Sequence, residues 1–440
     1  MDSKESKKPK LSTQPYKGAR DFYPEDMAIR NYIFNTWRKV CRRYGYEEYD
    51  NPIIENFEVF ASKTGEEIVN NQLYSFEDKG GRKIAIRPEL TPSTVRMIAT
   101  RYQLLPQPIR WFMIGNNWRF EKPQLGRGRE FYQLEMNIFG IPEVIADWEI
   151  FQVIIAIMNE FGANEAMFTL KYSDRKLVTA LLKDTLGLDT EKQVKVRNLM
   201  DKWNKMKEAD FIEALEQLGL PTDSAQRVLR FMSTTIATMR NVIPLNTLEG
   251  NEGYKDIQEL QKFLSESGLE KYCKFDPSII RGFDYSDGLV YEVFDKNQNN
   301  PRSLFGGERF DGLIKIFGDY DLPATGFGMG DYTLLEFLKN WNLLPKLPSE
   351  TKVYVTLFDK FSSGKMNEVA KTLREKGINT AVALKAEKLD KQLKYSDRKG
   401  IPYAIIAGPD EIKNDKVILK DLKKREQKTL TLEEAIAVLK

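Results

Sequence analysis

Basic side chains are concentrated around one predicted hairpin. An apolar strand over residues 110–120 leads through a glycine-containing loop into a second strand over residues 130–139. Arg119 lies at the end of the first strand, and Arg127 and Arg129 lie in the loop. Guanidinium groups bind phosphate and carboxylate oxygens in pairs of hydrogen bonds, so this hairpin is a candidate binding site for an anionic ligand.

The returning strand of the hairpin should carry a polar face. The two-residue period of a β-strand puts Gln133, Glu135 and Asn137 on one side and apolar residues on the other. Amides and a carboxylate beside arginines suit small polar ligands and phosphates. The competing interpretation is a half-exposed hairpin whose charges are simply solvated.

A second hairpin ends in a carboxylate and a hydroxyl group. The segment 73–91 turns at a pair of glycines, and Pro88 ends its second strand. Glu89 and Thr91 then precede a predicted helix over 92–102, where together they could bind an ammonium group. Alternatively, Glu89 is a first-turn acid that interacts with the helix dipole.

The composition restricts the chemistry. The chain of 440 residues contains no histidine and two cysteines, which excludes imidazole as base, nucleophile or metal ligand and leaves no zinc site of ordinary composition. Catalysis would depend on carboxylates, arginines, amides and Mg²⁺ that arrives with a nucleotide. These groups suit phosphate and adenylate chemistry better than hydrolysis by a triad.

Length, charge and hydropathy are those of a globular protein of two or three domains. Lysine and arginine total 67 against 64 acidic residues, so the net charge of +3 does not indicate a nucleic-acid partner, and any RNA-binding surface must be local. Residues 1–14 are polar and lysine-rich, which predicts a disordered tail. No apolar run reaches 18 residues and no signal-peptide pattern is present, so we expect a cytoplasmic protein that does not bind membranes.

Apolar periodicity predicts the elements that position these groups. A helix is expected over 24–44 and a short strand over 49–54. Between 176 and 264 the pattern is mainly helical and charged, which indicates an inserted helical module. The other elements predicted before the last domain are helices over 142–161 and 331–340, and strands over 168–172, 282–285 and 289–294.

The C-terminal part forms a separate predicted domain. A proline-rich linker lies near residues 345–350. Residues 351–440 alternate strands over 353–358, 380–384, 403–407 and 416–419 with helices over 365–376 and 388–399 and a closing helix. This order predicts a small α/β domain with a mainly parallel sheet, and it contains no GxGxxG or P-loop fingerprint.

The first hairpin also carries a family signature. Trp-Arg-Phe-Glu at 118–121, Pro-Gln-x-Gly-Arg at 123–127 and Arg-Glu-Phe-Tyr-Gln-Leu at 129–134 closely resemble motif 2 of the class II aminoacyl-tRNA synthetases, in the form found in histidyl-tRNA synthetases. Three further segments are similar to that family in the same order. They are Arg-Pro-Glu-x-Thr at 87–91, Arg-Gly-Phe-Asp-Tyr at 281–285 and the glycine-rich 326–330, which stands in the position of motif 3.

The resemblance covers residue 15 to the end and implies an α/β protein. Residues 15–347 would be the class II catalytic domain, an α+β unit with an antiparallel sheet flanked by helices and a helical insertion at about 176–264. Residues 351–440 would be the anticodon-binding α/β domain, and the helix and strand over 24–54 would form the interface of a homodimer. The implied activity is ATP-dependent conversion of histidine to histidyl-adenylate, with Mg²⁺, followed by transfer to the 3′ end of histidine tRNA.

The resemblance also implies individual roles. Arg119 and Arg281 would be catalytic, on either side of the α-phosphate. The residues implied to bind histidine are Glu89, Leu90, Thr91, Arg119, Gln133, Asn137, Arg281, Tyr285 and Ser286. The residues implied to bind ATP are Arg119, Glu121, Arg127, Gly328 and Gly330. Gln124 stands where the family reads the extra 5′ guanosine of histidine tRNA, and no resident metal site is implied.

Several positions depart from the family pattern. Asn137 replaces the usual Glu or Asp that reads the imidazole, and Ser286 replaces a tyrosine that closes the same pocket. Glu308 and Phe310 replace a glycine and a tyrosine, and Thr333 stands where motif 3 commonly has an arginine. Two alternatives therefore stay open, namely a catalytically impaired paralogue or sensor that keeps the fold, and a synthetase with altered amino-acid specificity.

Overall fold

The computed structural model describes residues 11–61, 68–124, 126–280, 287–297, 303–359 and 362–440. Its contacts divide the chain into two units, Met1–Leu344 and Pro345–Lys440. The expected tail falls largely in residues 1–10, and the expected strand over 282–285 falls in residues 281–286, so both lie outside the described residues. In the part of the chain that is described, no helix has the length and apolar character needed to cross a bilayer.

Strands and helices are numbered here in chain order. The strands of the first unit are β1 (Glu47–Glu48), β2 (Ile54–Asn56), β3 (Tyr74–Glu77), β4 (Lys83–Ile86), β5 (Ile109–Trp118), β6 (Glu130–Phe139), β7 (Phe168–Asp174), β8 (Cys273–Phe275), β9 (Leu289–Asp295), β10 (Ser303–Arg309) and β11 (Ala324–Gly330). Its α-helices are α1 (Pro24–Arg43), α2 (Phe57–Ala61), α3 (Thr91–Thr100), α4 (Ile145–Glu160), α5 (Arg175–Thr179), α6 (Thr190–Met200), α7 (Glu208–Gln217), α8 (Thr222–Met232), α9 (Leu245–Glu249), α10 (Glu252–Glu266) and α11 (Asp331–Asn340). Short 3₁₀ and π segments occupy Ile68–Gln72, Ala180–Thr185, Trp203–Lys205, Met239–Asn241, Glu270–Tyr272 and Leu313–Phe317.

The first unit is built on one large sheet. Its strand order within the described residues is β1-β5-β6-β11-β10-β9-β7-β8. The pairings from β5 through β7 are antiparallel, and only the outermost pairs, β1 with β5 and β7 with β8, are parallel. The long hairpin β5–β6 is therefore central to one half of the sheet, next to the glycine-rich strand β11.

One face of the large sheet packs against helices. Helix α1 begins with a proline and acidic residues and ends with two arginines, which suits the helix dipole, and its buried stripe includes Ile33, Trp37 and Val40. This stripe and α4 cover Leu134 and Met136 of β6. Because these apolar residues alternate with polar ones, the opposite face of β6 is left for Gln133, Glu135 and Asn137, as the two-residue period predicts.

A smaller three-stranded sheet in the order β2-β4-β3 carries the segment that leads into α3. The hairpin β3–β4 turns where the Asp78 carboxylate accepts hydrogen bonds from the backbone N–H groups of Gly80 and Arg82, at 2.8 and 3.0 Å. Gly81 has φ of +77°, which favours glycine. Residues 87–91 follow β4 and lie next to the polar face of β6, where Thr91 contacts Glu135.

The strand expected over 49–54 is wrong. The ladder from β1 ends after Tyr49, whose N–H donates to Phe112 at 3.0 Å, and β2 starts only at Ile54. Between them, Pro52 has no N–H to donate, and the backbone carbonyl and side chain of Asn51 accept hydrogen bonds from the Arg87 guanidinium at 2.8 and 2.9 Å. The Arg87 guanidinium therefore holds Asn51 between the two ladders, and backbone pairing resumes where the Arg87 N–H donates to Ile53 at 2.9 Å.

The helical module between β7 and β8 contains α5 to α10, as the periodicity predicts. Its helices bury apolar residues such as Val196, Phe211, Phe231 and Leu260, which are continuous with the core beneath the large sheet. The module is therefore an extension of the core of the first unit, attached through β7, α5 and α10.

The second unit is a separate α/β fold. Its strands are β12 (Val353–Val355), β13 (Thr380–Val382), β14 (Tyr403–Ile406), β15 (Lys416–Asp421) and β16 (Glu426–Thr431), and its helices are α12 (Ser363–Glu375), α13 (Leu389–Arg398), α14 (Pro409–Lys413) and α15 (Leu432–Leu439). The described strand order is β13-β12-β14-β15-β16. Strands β13, β12 and β14 are parallel, whereas β15 and β16 are antiparallel.

The prediction of a mainly parallel sheet in this unit is therefore wrong for its C-terminal half. Strand β16 was not predicted, because the first four of its residues are exposed and polar and show no apolar alternation. Such a sequence is typical of a charged edge strand, which resists pairing with other chains.

Candidate active site

A cavity of about 460 Å³ lies over the polar face of β6. Phe131, Gln133, Glu135 and Asn137 all line it, so the cavity follows the strand for about 20 Å at about 3.4 Å per residue. The other lining residues are Glu89, Thr91, Arg119, Glu121, Gly126, Arg127, Gly128, Glu292, Ser303, Leu304, Phe305, Gly306, Gly307, Glu308, Phe310, Gly326, Phe327, Gly328, Gly330, Tyr332 and Thr333. A site of this length could hold a nucleotide and a small acid end to end.

Arg119 enters the cavity from the end of β5. Its Nε donates a hydrogen bond of 2.9 Å to the carbonyl oxygen of Pro88, and its guanidinium lies 5.2 Å from the centre of the Phe131 ring. These contacts fix the orientation of the guanidinium from two sides, which is the preorganisation required to stabilise a phosphate in a reaction.

The hairpin loop contributes a charged pair. Arg127 forms an ion pair with Glu121 across the loop, and both residues line the cavity. Gln124 and Arg127 also make a backbone bridge, closed by Gly126 in a left-handed conformation with φ of +73°. A short, well-connected loop therefore presents one guanidinium and one carboxylate at this end.

Glu89, Thr91 and Gln133 face the middle of the cavity. Glu89 is 4% exposed, and Thr91 is the first residue of α3. The Gln133 side-chain oxygen accepts a hydrogen bond of 3.0 Å from Asn117, so its amide nitrogen points toward β11, where a Cβ on Gly328 would lie 1.6 Å from it. A carboxylate, a hydroxyl and an amide here could surround an ammonium group.

Two residues form the floor farther along β6. Asn137 and Glu135 are each 2% exposed, and the Asn137 side-chain nitrogen donates a hydrogen bond of 2.9 Å to Glu135. The hydroxyl of Thr91 donates to the same carboxylate at 3.0 Å and that of Thr94 at 3.3 Å. Burial raises the pKa of Glu135 to about 7, and the negative charge of Glu89 acts in the same direction against the three hydrogen bonds.

Glycines on β10 and β11 keep the cavity open. Gly326 pairs with Asn137 and Gly328 pairs with Glu135 on the neighbouring strand. A Cβ on Gly326 would lie 1.8 Å from the Asn137 side-chain oxygen and 2.4 Å from the backbone oxygen of Met136. Any larger residue would displace the polar floor, which explains the spacing of the glycines.

Charge is distributed unevenly along the cavity. Among the described lining residues the arginines, Arg119 and Arg127, lie at the hairpin end, whereas Glu135 and Glu308 lie toward the Asn137 end. Described residues contain no group of three or more His, Cys, Asp or Glu side chains placed to hold a metal ion. The hairpin end favours an anion, and the opposite end favours hydrogen-bond donors.

The structure brings together most of the side chains that the sequence identified. Those that line the cavity are Glu89, Thr91, Arg119, Glu121, Arg127, Gln133, Asn137, Gly328 and Gly330. Leu90 is a correction, because its side chain is fully buried and packs against Gly115 instead of facing the cavity. Gln124 is exposed on the loop outside the cavity, and Arg281, Tyr285 and Ser286 lie outside the described residues.

Sequence reasoning gave no role to several lining residues. Alternation along β6 placed Glu135 on the polar face, but its burial and its bond to Asn137 depend on α3 and could not be read from the strand alone. Phe131 and Tyr332 carried no signal at all, since single aromatic residues are common in any core. Thr333 lines the cavity, but its hydroxyl is hydrogen-bonded to backbone carbonyls, including that of Gly330 at 3.4 Å.

Comparison with known proteins connects this geometry to a family. A family model described as histidyl-tRNA synthetase matches residues 18–332, and an anticodon binding domain model matches residues 352–440. A histidine–tRNA ligase from Leptospira biflexa is 42% identical over 439 residues, which is 99% of each chain. The chloroplastic/mitochondrial histidine–tRNA ligase of Arabidopsis thaliana is 36% identical over 95% of this chain and 85% of its own.

Solved structures agree in fold. The crystal structure of histidyl-tRNA synthetase from Nostoc sp. PCC 7120 superposes with a TM-score of 0.83, at 22% identity, over 98% of this chain and 99% of that one. The apo enzyme from S. aureus gives a TM-score of 0.71 at 21% identity, over 98% of this chain and all of its own. The antiparallel sheet, the three described motifs around one cavity and the full-length relatives all lead to one conclusion, that this chain belongs to the histidyl-tRNA synthetase family.

Proposed function

We propose that this chain is a histidine–tRNA ligase that activates histidine with ATP in the cavity over β6 and then transfers it to tRNA. The observation that carries the proposal is the position of Arg119 above a floor of Gln133, Glu135 and Asn137 inside one cavity. This arrangement offers a site for an anion and a site for a hydrogen-bond donor, and the two sites are separated by about the length of an aminoacyl-adenylate.

Histidine would lie along the middle and far end of the cavity. Glu89 and Thr91 would bind its ammonium group, because they supply a carboxylate and a hydroxyl oxygen that accept hydrogen bonds, and Gln133 would contact the amino acid beside them. Its side chain would then reach toward Asn137, and its carboxylate would face Arg119.

Activation requires no protein base. An ionised histidine carboxylate oxygen attacks the α-phosphorus of ATP, a bond to phosphorus forms, and the bond to the bridging oxygen of pyrophosphate breaks. Negative charge on the non-bridging α-phosphate oxygens is stabilised by Arg119, which is held in place by its hydrogen bond to Pro88 and its contact with the Phe131 ring. By the family resemblance, Arg281 would act from the other side.

The hairpin loop would hold the rest of the nucleotide. Arg127 and Glu121 line that end and pair with each other across the loop, and Gly328 and Gly330 let the backbone of β11 approach a flat base. Mg²⁺ with ATP is usually bound through phosphates and one or two carboxylates. The cavity carboxylates Glu121 and Glu292 are donors of that kind, and the ion would neutralise phosphate charge.

Transfer would complete the reaction. A terminal ribose hydroxyl of the tRNA attacks the carbonyl carbon of the adenylate, an ester bond forms, and AMP leaves. The match of residues 352–440 to an anticodon binding domain supports tRNA as the partner, and the exposure of Gln124 on the loop supports a contact between them.

A homodimer and a cytoplasmic location belong to the same proposal. Apolar side chains are exposed at the small sheet, with Ile54 of β2 45% exposed and Phe76 of β3 47% exposed. An exposed apolar surface of this kind is typical of a protein interface. A ligase that serves cytoplasmic translation would meet its tRNA partner there.

ATP–pyrophosphate exchange with each of the twenty amino acids tests the proposal. We expect exchange with histidine and with no other amino acid. Exchange with a different amino acid would mean altered specificity. If no amino acid supports exchange in a protein that binds ATP or tRNA, the chain is a sensor or regulatory paralogue.

A further inference from the structure

Asn137 is held in a single orientation by Glu135. The two side chains lie on the same face of β6 at a separation of two residues, both are buried, and the Asn137 nitrogen donates to the Glu135 carboxylate at 2.9 Å. Glu135 is itself fixed from the other side, because the hydroxyl groups of Thr91 and Thr94 donate to its two oxygens at 3.0 and 3.3 Å.

The orientation of the amide follows from the chemistry of the pair. An ionised carboxylate can only accept hydrogen bonds, so the NH₂ group of Asn137 must face Glu135 and its carbonyl oxygen must face away. The packing agrees, since that oxygen lies over Gly326, 1.8 Å from the position a Cβ would take there. Gly326 and Asn137 both line the cavity, so the carbonyl oxygen is turned toward it.

A carbonyl oxygen in this position selects for a donor. Imidazole carries an N–H group, whereas a thioether, an aliphatic chain or a carboxylate has none to offer.

We propose that Glu135 is a positioning residue for amino-acid selection, which fixes Asn137 so that its carbonyl oxygen accepts a hydrogen bond from the imidazole N–H of histidine. This inference rests on the proposed function. A neutral amide would then contact the imidazole, and the negatively charged carboxylate would bind that amide instead of the ligand.

A different role for Glu135 would be to support Thr91 and, through it, the site for the ammonium group. The two roles differ in what they select. Support of Thr91 affects every amino acid equally, whereas orientation of Asn137 affects only substrates whose ring carries an N–H. β-(2-Thienyl)alanine has the same backbone as histidine and a five-membered ring without an N–H donor, so it separates the two.

The test measures ATP–pyrophosphate exchange at pH 8, above the pKa of about 7 that burial gives Glu135. Glu135→Gln keeps the shape but can donate to the Asn137 oxygen, which lets the amide turn. We expect the KM for histidine to rise about tenfold, which corresponds to the loss of one hydrogen bond, with kcat and the KM for ATP within about twofold. The KM or inhibition constant for thienylalanine should not change.

Asn137→Asp in the Glu135→Gln background is the rescue. An aspartate has two acceptor oxygens and needs no partner to orient it, so the histidine KM should recover most of the loss. Asp174→Asn is the matched control, because Asp174 is another fully buried carboxylate whose pKa burial raises to about 7, but it lies outside the cavity. This control should leave all exchange constants unchanged.

The outcomes separate the inference from the proposed function. No histidine-dependent exchange in the unmodified chain overturns both. An active chain in which Glu135→Gln weakens histidine and thienylalanine equally, or in which Asn137→Asp gives no recovery, overturns the inference alone. If Glu135→Gln does not fold, Glu135→Met decides the matter, because it removes the acceptor of the Asn137 nitrogen at similar side-chain volume. The preference for histidine over thienylalanine must then fall at least about tenfold for the inference to stand.

Discussion

The clearest test of the site compares two arginines of the same hairpin. Arg119 and Arg129 are both half-buried and both lie over an aromatic ring, but only Arg119 lines the cavity. The Nε of Arg129 donates to the backbone oxygen of Glu121 at 3.0 Å, and its Nη1 donates to the Tyr16 hydroxyl at 2.7 Å. Arg129 therefore joins the loop to the N-terminal segment.

The size of the expected effect follows from the position of Arg119. A guanidinium and a phosphate oxygen separated by about 4 Å interact by about 4 kcal/mol at an effective dielectric constant of about 20. Part of this interaction is already present with bound ATP, and removal of one preorganised donor typically costs about 3 kcal/mol in the transition state. Arg119→Ala should therefore lower the exchange rate by about a hundredfold or more. Arg129→Ala removes a structural contact and should lower it by less than about fivefold.

Both variants should be assayed for histidine-dependent ATP–pyrophosphate exchange after circular dichroism has shown equal helix content. Arg119→Lys is a useful third variant, because it keeps the charge but loses the bond to Pro88 and should recover only part of the rate. The reasoning fails if Arg119→Ala and Arg129→Ala fall by the same factor, since the cavity would then not distinguish the two residues.

The remaining predictions concern the loop, the glycines and a buried acid. Gln124→Ala should slow transfer to tRNA and leave exchange unchanged, measured by aminoacylation beside exchange; equal loss in both would place Gln124 in nucleotide binding. Gly328→Ala should raise the histidine KM about tenfold because its Cβ would lie 1.6 Å from Gln133, whereas Gly330→Ala, whose nearest neighbour is 3.7 Å away, should change it by less than about twofold. Asp174→Asn should stabilise the first unit, and the gain in unfolding free energy should grow by about 2 kcal/mol between pH 5.5 and 8. Burial raises the pKa of Asp174 from 3.8 to about 7, so ionisation of this carboxylate costs the folded state more as the pH rises. Urea unfolding followed by tryptophan fluorescence measures this, since every tryptophan lies in that unit, and a gain independent of pH would contradict it.

Much of the fold could be predicted because long elements have strong periodicity. The hairpin β5–β6 was predicted within two residues at each end, since its two strands are ten residues long and rich in apolar residues and glycines mark the loop between them. Weakly patterned pieces failed. The stretch around Asn51 depends on Arg87, which is distant in sequence, and β16 is a largely exposed polar strand that pairs with β15.

The residues that form the site could be predicted from their types and their order in the sequence, but the burial of each side chain could not. The lining arginines and amides follow from two-residue alternation and from the family motifs. Leu90 was assigned from its place within a motif, yet in the structure its side chain packs beneath Gly115. Conversely, Glu135 is buried because Thr91, Thr94 and Asn137 contact it. Contacts between a strand and a helix cannot be predicted from the sequence of either segment alone.

The charge on Glu135 is difficult to explain by stability. Its pKa is raised from 4.5 to about 7, and a difference of about 2.5 units at 1.36 kcal/mol each means that ionisation costs the fold about 3 kcal/mol above pH 7. Its described hydrogen-bond partners, Thr91, Thr94 and Asn137, are neutral. A glutamine could accept from one hydroxyl group and donate to the other, because a hydroxyl oxygen also accepts. A glutamine, however, could also donate to Asn137 and would leave that amide free to turn. Only the carboxylate forces the carbonyl oxygen of Asn137 toward the cavity. We therefore attribute the free-energy cost of this buried charge to the need for that oxygen to accept a hydrogen bond from the ligand.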